Sequence, residues 1–97
     1  MSEYVLRLFI NGNSAHSARA TASLKSICEH ELHGRYRLEI IDIIDDPGAA
    51  NDARIIATPT LMKMLPPPLR RVIGDLSDKQ QVLFALDVAP SSPPGVT

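Results

Sequence analysis

The chain has 97 residues, enough for one hydrophobic core and too few for two ordinary domains. Hydrophobic residues make up 44% and charged residues 22%, a globular balance far from that of a disordered chain. Ten Lys and Arg against eleven Asp and Glu leave a formal charge of -1, so there is no overall basic field to hold nucleic acid or anionic lipid.

The chain opens Met1-Ser2-Glu3, with no basic n-region, no small-residue cleavage site and no apolar run of about 18 residues, so no membrane span and a cytoplasmic address are expected. Tyr4 to Ile10 is apolar except for Arg7 and stops at Asn11-Gly12-Asn13, which predicts a first strand in a central position. From Ser14 onward Ala20, Leu24, Ile27, Cys28 and Leu32 recur at spacings of three and four, and Gly34 supplies the left-handed residue that a helix C-terminus wants. The spacing predicts an amphipathic helix of about five turns.

Tyr36 to Ile43 alternates at first and then becomes almost continuously apolar, as a strand does when only its start is exposed on one face. Strand, helix and strand make a βαβ unit with parallel strands. Asp46 before Pro47 fits an N-cap followed by proline at the first helical position, and a short helix through Ile55 or Ile56 is expected.

Thr58-Pro59-Thr60 leads into the apolar run Leu61 to Leu65. Pro66, Pro67 and Pro68 cannot donate to a sheet ladder, so they separate that strand from Leu69 to Ile73. Gly74-Asp75 turns the chain, Ser77 with Gln80 reads as a capping box, and Val82, Leu83 and Leu86 form the stripe of a last helix. One domain over residues 1–89 is expected, with 90–97, rich in proline and serine, as a flexible tail.

The order βαβαββα, with Thr-Pro ahead of the third strand, is that of a thioredoxin-like α/β domain. In such folds the proline is cis and walls the site at the start of the first helix, which marks Pro59. An oxidoreductase of this kind needs a thiolate at that helix N-terminus, where the dipole and free N–H groups lower its pKa. Here the stretch is Asn13-Ser14-Ala15-His16-Ser17, without a thiol. Cys28, the only cysteine, excludes an intramolecular disulfide and shares a face with Leu24 and Ile27, where it packs as a small hydrophobe.

Serine replaces cysteine in some glutathione-activating enzymes of related fold, which makes Ser14 or Ser17 the sharpest enzymatic reading. Those enzymes carry a further helical domain, for which this length leaves no room, and Ser14 has a sufficient role as an N-cap. His16, His30 and His33 are the only histidines. His30 and His33 share a helical face, but no second cluster completes four ligands, so neither a metal nor any cofactor is expected.

The stretch from Leu38 to Asp87 closely resembles the KaiB family of bacterial circadian clock proteins. The marks are Ile41-Asp42, Ile56-Ala57-Thr58-Pro59-Thr60-Leu61, and Leu65-Pro66-x-Pro68-x-Arg70-Arg71-x-Ile73-Gly74-Asp75-Leu76-Ser77-Asp78, with Leu8-x-Ile10-x-Gly12-Asn13 ahead of the first helix. The resemblance implies a non-enzymatic regulatory protein that binds a KaiC-type ATPase ring and modulates its phosphorylation state. It also implies two folds: the thioredoxin-like form that binds KaiC, and a resting homo-oligomer, dimeric or tetrameric, whose C-terminal half is rearranged. Pro59, Pro66, Pro67 and Pro68 are then the switch candidates. The apolar runs Leu61 to Leu65 and Val82 to Val88 suit either helix or strand.

Departures from the family pattern shape the expectation further. Ala85 stands where glycine is common and favours helix by about 0.8 to 1 kcal/mol, tilting the chain toward the thioredoxin-like form. Glu39 and Asp45 replace lysines beside the edge where a KaiA-type partner pairs, which speaks against that partner. With the neutral tail, they imply a homologue from outside the cyanobacterial clock, serving timing or stress. Arg54, Lys63, Arg70 and Arg71 are the expected partner-binding residues. A redox-inactive thioredoxin-like adaptor in stress response is the alternative.

Overall fold

A computed structural model describes residues 3–12, 14–74 and 76–86. The expected turn residues Asn13 and Asp75, the domain limit at residue 89 and the tail from Pro90 to Thr97 lie outside the described residues.

The strand β1 (Tyr4–Ile10) runs parallel to β2 (Tyr36–Asp42) and antiparallel to β3 (Thr60–Leu65), which is antiparallel to β4 (Arg70–Ile73). The sheet order is β2-β1-β3-β4, so β1 is central as its apolar run predicts. β2 is instead an edge strand: it alternates only from Tyr36 to Glu39, and the alternation then lapses to leave Ile40 39% exposed. One irregularity interrupts the β1–β3 ladder, where Val5 pairs with Leu65 and Leu6 with Lys63, leaving Met64 as the extra residue of a bulge.

The crossover helix α1 (Ala15–Ile27) starts where serine can cap it: the Ser17 N–H donates to Ser14 Oγ at 3.1 Å. The helix continues into a π-helical turn, Cys28–Leu32, in place of the expected last α-turns, with both Cys28 and Leu32 buried. His33 and Gly34, at φ 49° and 82°, then reverse the chain, and the Arg35 N–H closes onto the Leu32 carbonyl.

Between β2 and β3, α2 (Pro47–Asp52) is capped by Asp46, whose Oδ1 accepts from the Ala49 N–H at 3.1 Å. It stops short of the expected Ile55. The Arg54 N–H bonds the Asn51 carbonyl and the Ile55 N–H bonds the Ala50 carbonyl, the two bonds of a Schellman ending, with Arg54 left-handed at φ 56°. The last helix, α3 (Lys79–Leu86), is capped by Asp78, which accepts from the Gln81 N–H at 3.2 Å. The Ser77–Gln80 capping box is therefore displaced by one residue, because Asp78 supplies the stronger acceptor at the helix start. Ala85 lies within α3.

Alternation along the strands sends Leu6 and Leu8 to one face and Val5, Arg7 and Phe9 to the other. On the first face Leu6, Leu8 and Leu61 pack with Ala20, Leu24 and Ile27 of α1 and Val82 and Leu86 of α3 in one buried cluster. Each fully buried leucine there contributes about 1.5–3 kcal/mol. A 2.6 Å ion pair from Lys79 Nζ to Glu31 Oε2 joins α3 to the end of the first helix. On the second face Phe9 and Met62 are buried outside that cluster, and α2 buries none of its residues.

Candidate functional site

Two regions compete for the functional assignment. At the start of α1, where an oxidoreductase would hold its thiolate, the serines serve the backbone. Ser14 Oγ caps the helix, and Ser17, 1% exposed, accepts from the Asn11 N–H at 3.1 Å. Pro59 is buried after a cis Thr58–Pro59 bond, as the thioredoxin-like order of elements implied, and its carbonyl accepts from the Gly74 N–H at 3.1 Å. The Leu65–Pro66 and Pro67–Pro68 bonds are also cis, and these three prolines link β3 to β4.

Burial pushes the Cys28 thiol up to about 12, with the Glu29 carboxylate adding to the effect. A thiol so far above neutrality stays protonated and unreactive. His30 Nδ1 lies 2.8 Å from the Ser26 carbonyl, an i,i+4 contact on the helix surface. Among the described residues no group of three or more His, Cys, Asp or Glu is placed to hold a metal ion.

The second region is the sheet face under α2. The register lines up Glu39, Arg7, Met62 and Arg71 across the four strands, one from each. Together with Met64, Leu69 and the end of α2, Arg7, Met62 and Arg71 line a groove of about 400 Å³. Its rim holds Arg54 and Arg71; Asp52 is the one acid in the lining. Met62 and Met64 give it an adaptable apolar floor.

Arg7 spans this floor. Its Nε lies 3.0 Å from Glu39 Oε1, an ion pair set off the N–H direction, so the buried Nε has no hydrogen-bond acceptor among the described residues. Arg71 is differently engaged: Nη1 donates to the Arg54 carbonyl at 3.2 Å and Nη2 to the Ala53 carbonyl. The guanidinium fork fits two adjacent carbonyls as a lysine could not.

The four residues expected to meet a partner therefore do not form one surface. Arg54 and Arg71 come together at the groove. Arg70 pairs with Lys63 in the neighbouring row, and alternation points it away from Arg71. Lys63 itself is 1% exposed, packed in the row of Leu6, which corrects its expected place on a surface. A lysine inside an apolar strand run keeps its stem in the core. Arg7, Met62, Met64 and Leu69 are the groove residues that sequence reasoning passed over. The lone charge in an otherwise apolar β1 was the available signal.

Glu39 and Asp45 are both exposed, and Glu39 is spent on Arg7 along the edge strand β2. Apolar side chains also lie open away from the groove, Ile56 and Phe84 each at 88% exposure. No helix is long and apolar enough to cross a membrane among the described residues.

Comparison with known proteins adds a family and a fold. A family model described as the KaiB domain matches residues 7–88. The chain is 48% identical over 90 residues to the circadian clock protein KaiB3 of Synechocystis sp., covering 93% of this chain and 88% of that one. It is 51% identical over 85 residues to the circadian clock oscillator protein KaiB of Microcystis aeruginosa, covering 88% and 82%. Among solved structures, the N-terminal domain of Synechococcus elongatus SasA superposes with a TM-score of 0.72 at 24% identity, over 90% of this chain and 86% of that one. Mitochondrial thioredoxin 3 from Saccharomyces cerevisiae gives 0.71 at 14% identity, over 90% and 79%. The last two establish the thioredoxin-like fold alone.

Proposed function

This chain belongs to the KaiB family, and on that footing we propose that it is a clock-type regulatory protein that binds the ring of a KaiC-type ATPase and modulates its phosphorylation state. The observation that carries this reading is the cationic groove beside α2, where Arg54 stands exposed over the methionine floor. Arginine at the rim of an apolar hollow is a favoured composition for a protein interface. The two serines at the start of α1 are occupied by the backbone, which favours binding over glutathione chemistry.

The thioredoxin-like form is the binding form in this reading, and the C-terminal half from β3 onward is the part that rearranges in a resting oligomer. Pro66, Pro67, Pro68 and Ala85 fall in that half, Pro59 stands directly ahead of it at the entry to β3, and the five remain the switch positions. A cytoplasmic location follows from the same role.

The test is complex formation with a KaiC-type ring in ATP, followed by size exclusion. Arg54→Ala is expected to weaken the complex about tenfold, and Arg70→Ala, on the opposite face of β4, to leave it within twofold. A wild-type chain that stays unbound under every nucleotide would sink the reading and favour the adaptor without a clock role. Amide NMR of the free protein reads the second fold directly: two exchanging sets of peaks after residue 59 are expected, and a single set would remove the rearrangement.

A further inference from the structure

The end of α2 places an arginine where a helix ordinarily places glycine. The bonds from Arg54 N–H to the Asn51 carbonyl, 3.1 Å, and from Ile55 N–H to the Ala50 carbonyl, 3.0 Å, define a Schellman ending whose left-handed position is Arg54, at φ 56°. Glycine would make the same bonds without the clash between Cβ and the following carbonyl. The backbone therefore carries an exposed charged side chain at a position where stability alone favours none. Strain of this kind, held at the rim of a groove, points to use of the side chain.

What holds the strained turn is Arg71. The carbonyls of Ala53 and Arg54 lie just past the last turn of α2, where helices leave acceptors unpaired, and the Arg71 fork from β4 takes both. None of the α2 side chains is buried, so this fork is a main attachment of the helix end to the sheet. Arg71 spends its donors on the backbone, whereas Arg54 carries no such duty and faces a groove whose other charges are Arg7, itself ion-paired with Glu39, and the lining acid Asp52.

We propose that Arg71 is a positioning residue, whose fork fixes the end of α2 so that the left-handed Arg54 presents its guanidinium to a carboxylate on the surface of a partner protein. This rests on the partner-binding reading above and divides it: Arg54 meets the partner, and Arg71 acts through Arg54. The excess of arginine around the groove selects an acidic partner segment, and the methionine floor admits an apolar side chain beside the carboxylate.

Five variants of the full chain test the division. Arg54→Gly keeps both carbonyls and both Schellman bonds, so its melting temperature is expected to rise by about 2 to 6 °C. Its affinity for a KaiC-type ring in ATP is expected to fall about tenfold. Arg71→Lys keeps the charge but cannot fork across two carbonyls. It is expected to lose as much affinity as Arg71→Ala, and the Arg54→Ala/Arg71→Ala double variant to bind no worse than Arg54→Ala alone. Full affinity in Arg71→Lys, or additive losses in the double variant, would mean that Arg71 touches the partner itself and would overturn the proposal. A lower melting temperature or unchanged affinity in Arg54→Gly would overturn it as well.

Poly-L-glutamate titrated into the 15N-labelled chain separates a wrong partner from a wrong geometry. Amide shifts at Arg54 and Ile55 that disappear in Arg71→Lys support the presentation of Arg54 even where the KaiC-type ring fails to bind. No shift at these residues in the wild type would overturn it, whatever the ring does.

Discussion

On one face of the sheet, α1 and α3 cover Leu6, Leu8 and Leu61 and form a continuous buried cluster; on the other, α2 buries none of its residues and leaves a groove lined by arginine and methionine. The same four strands serve both faces, because alternate residues of each strand point to opposite sides. Arg7 lies between Leu6 and Leu8, and Met62 between Leu61 and Lys63, so the composition of each face is set residue by residue. The difference teaches that stability and recognition are separable in this small domain. Substitutions on the first face should act on folding, and those of exposed residues around the groove on the second should act on binding.

The largest effect should come from the heart of the covered face. Leu24 is fully buried, and Leu24→Ala is expected to lower stability by about 2–5 kcal/mol in a urea unfolding titration. A loss under about 1 kcal/mol would mean that the core collapses around the cavity and that the two faces differ less than their packing implies.

Cys28 offers a pH test of the same face. Its pKa rises from 9.0 to about 12 on burial, so the folded state holds its proton where the unfolded chain releases it. That contribution to stability is complete below pH 9 and is lost as pH rises from 9 toward 12. A Cys28→Ala variant should show a shallower fall of unfolding free energy across that window. In the native wild type at neutral pH, a thiol reagent should label Cys28 only as fast as the protein opens. Prompt labelling would break the comparison.

On the open face the cap of α2 is the informative position. Asp46→Ala removes the bond to the Ala49 N–H and is expected to cost about 1 kcal/mol, seen as a modest drop in melting temperature, with a larger loss in partner binding than in stability. Equal losses in both would tie α2 to the core after all. The smallest effect belongs to the link between α3 and the first helix. Lys79 is 48% exposed, while Glu31, 10% exposed, keeps a further interaction of its own, so Lys79→Met is expected to cost under about 1 kcal/mol, less at high salt.

Much of the architecture was legible in the residues because it rests on short-range signals. The apolar run from Tyr4, the cap at Ser14, the pair Asp46-Pro47 and the turn at Gly34 each act within a few positions, and all reappear in the structure. The capping box at Ser77 failed by one residue because Asp78 competes for the same helix start. The end of α2 was missed because the signal for a Schellman ending is glycine, and this chain puts Arg54 there. Adjacency in sequence also misled: Arg70 and Arg71 read as a pair, and a strand sends them to opposite sides.

Sequence by itself determined the family, the order of elements and the absence of a thiol at the head of α1, since these depend on residue identity and local periodicity. Only the tertiary structure decided that Lys63 is buried, that Arg7 lies under the groove, and that Arg71 reaches the end of α2. The physical reason is that register across strands brings together residues separated by tens of positions. No local pattern encodes which of two neighbouring charges will face the core and which a partner.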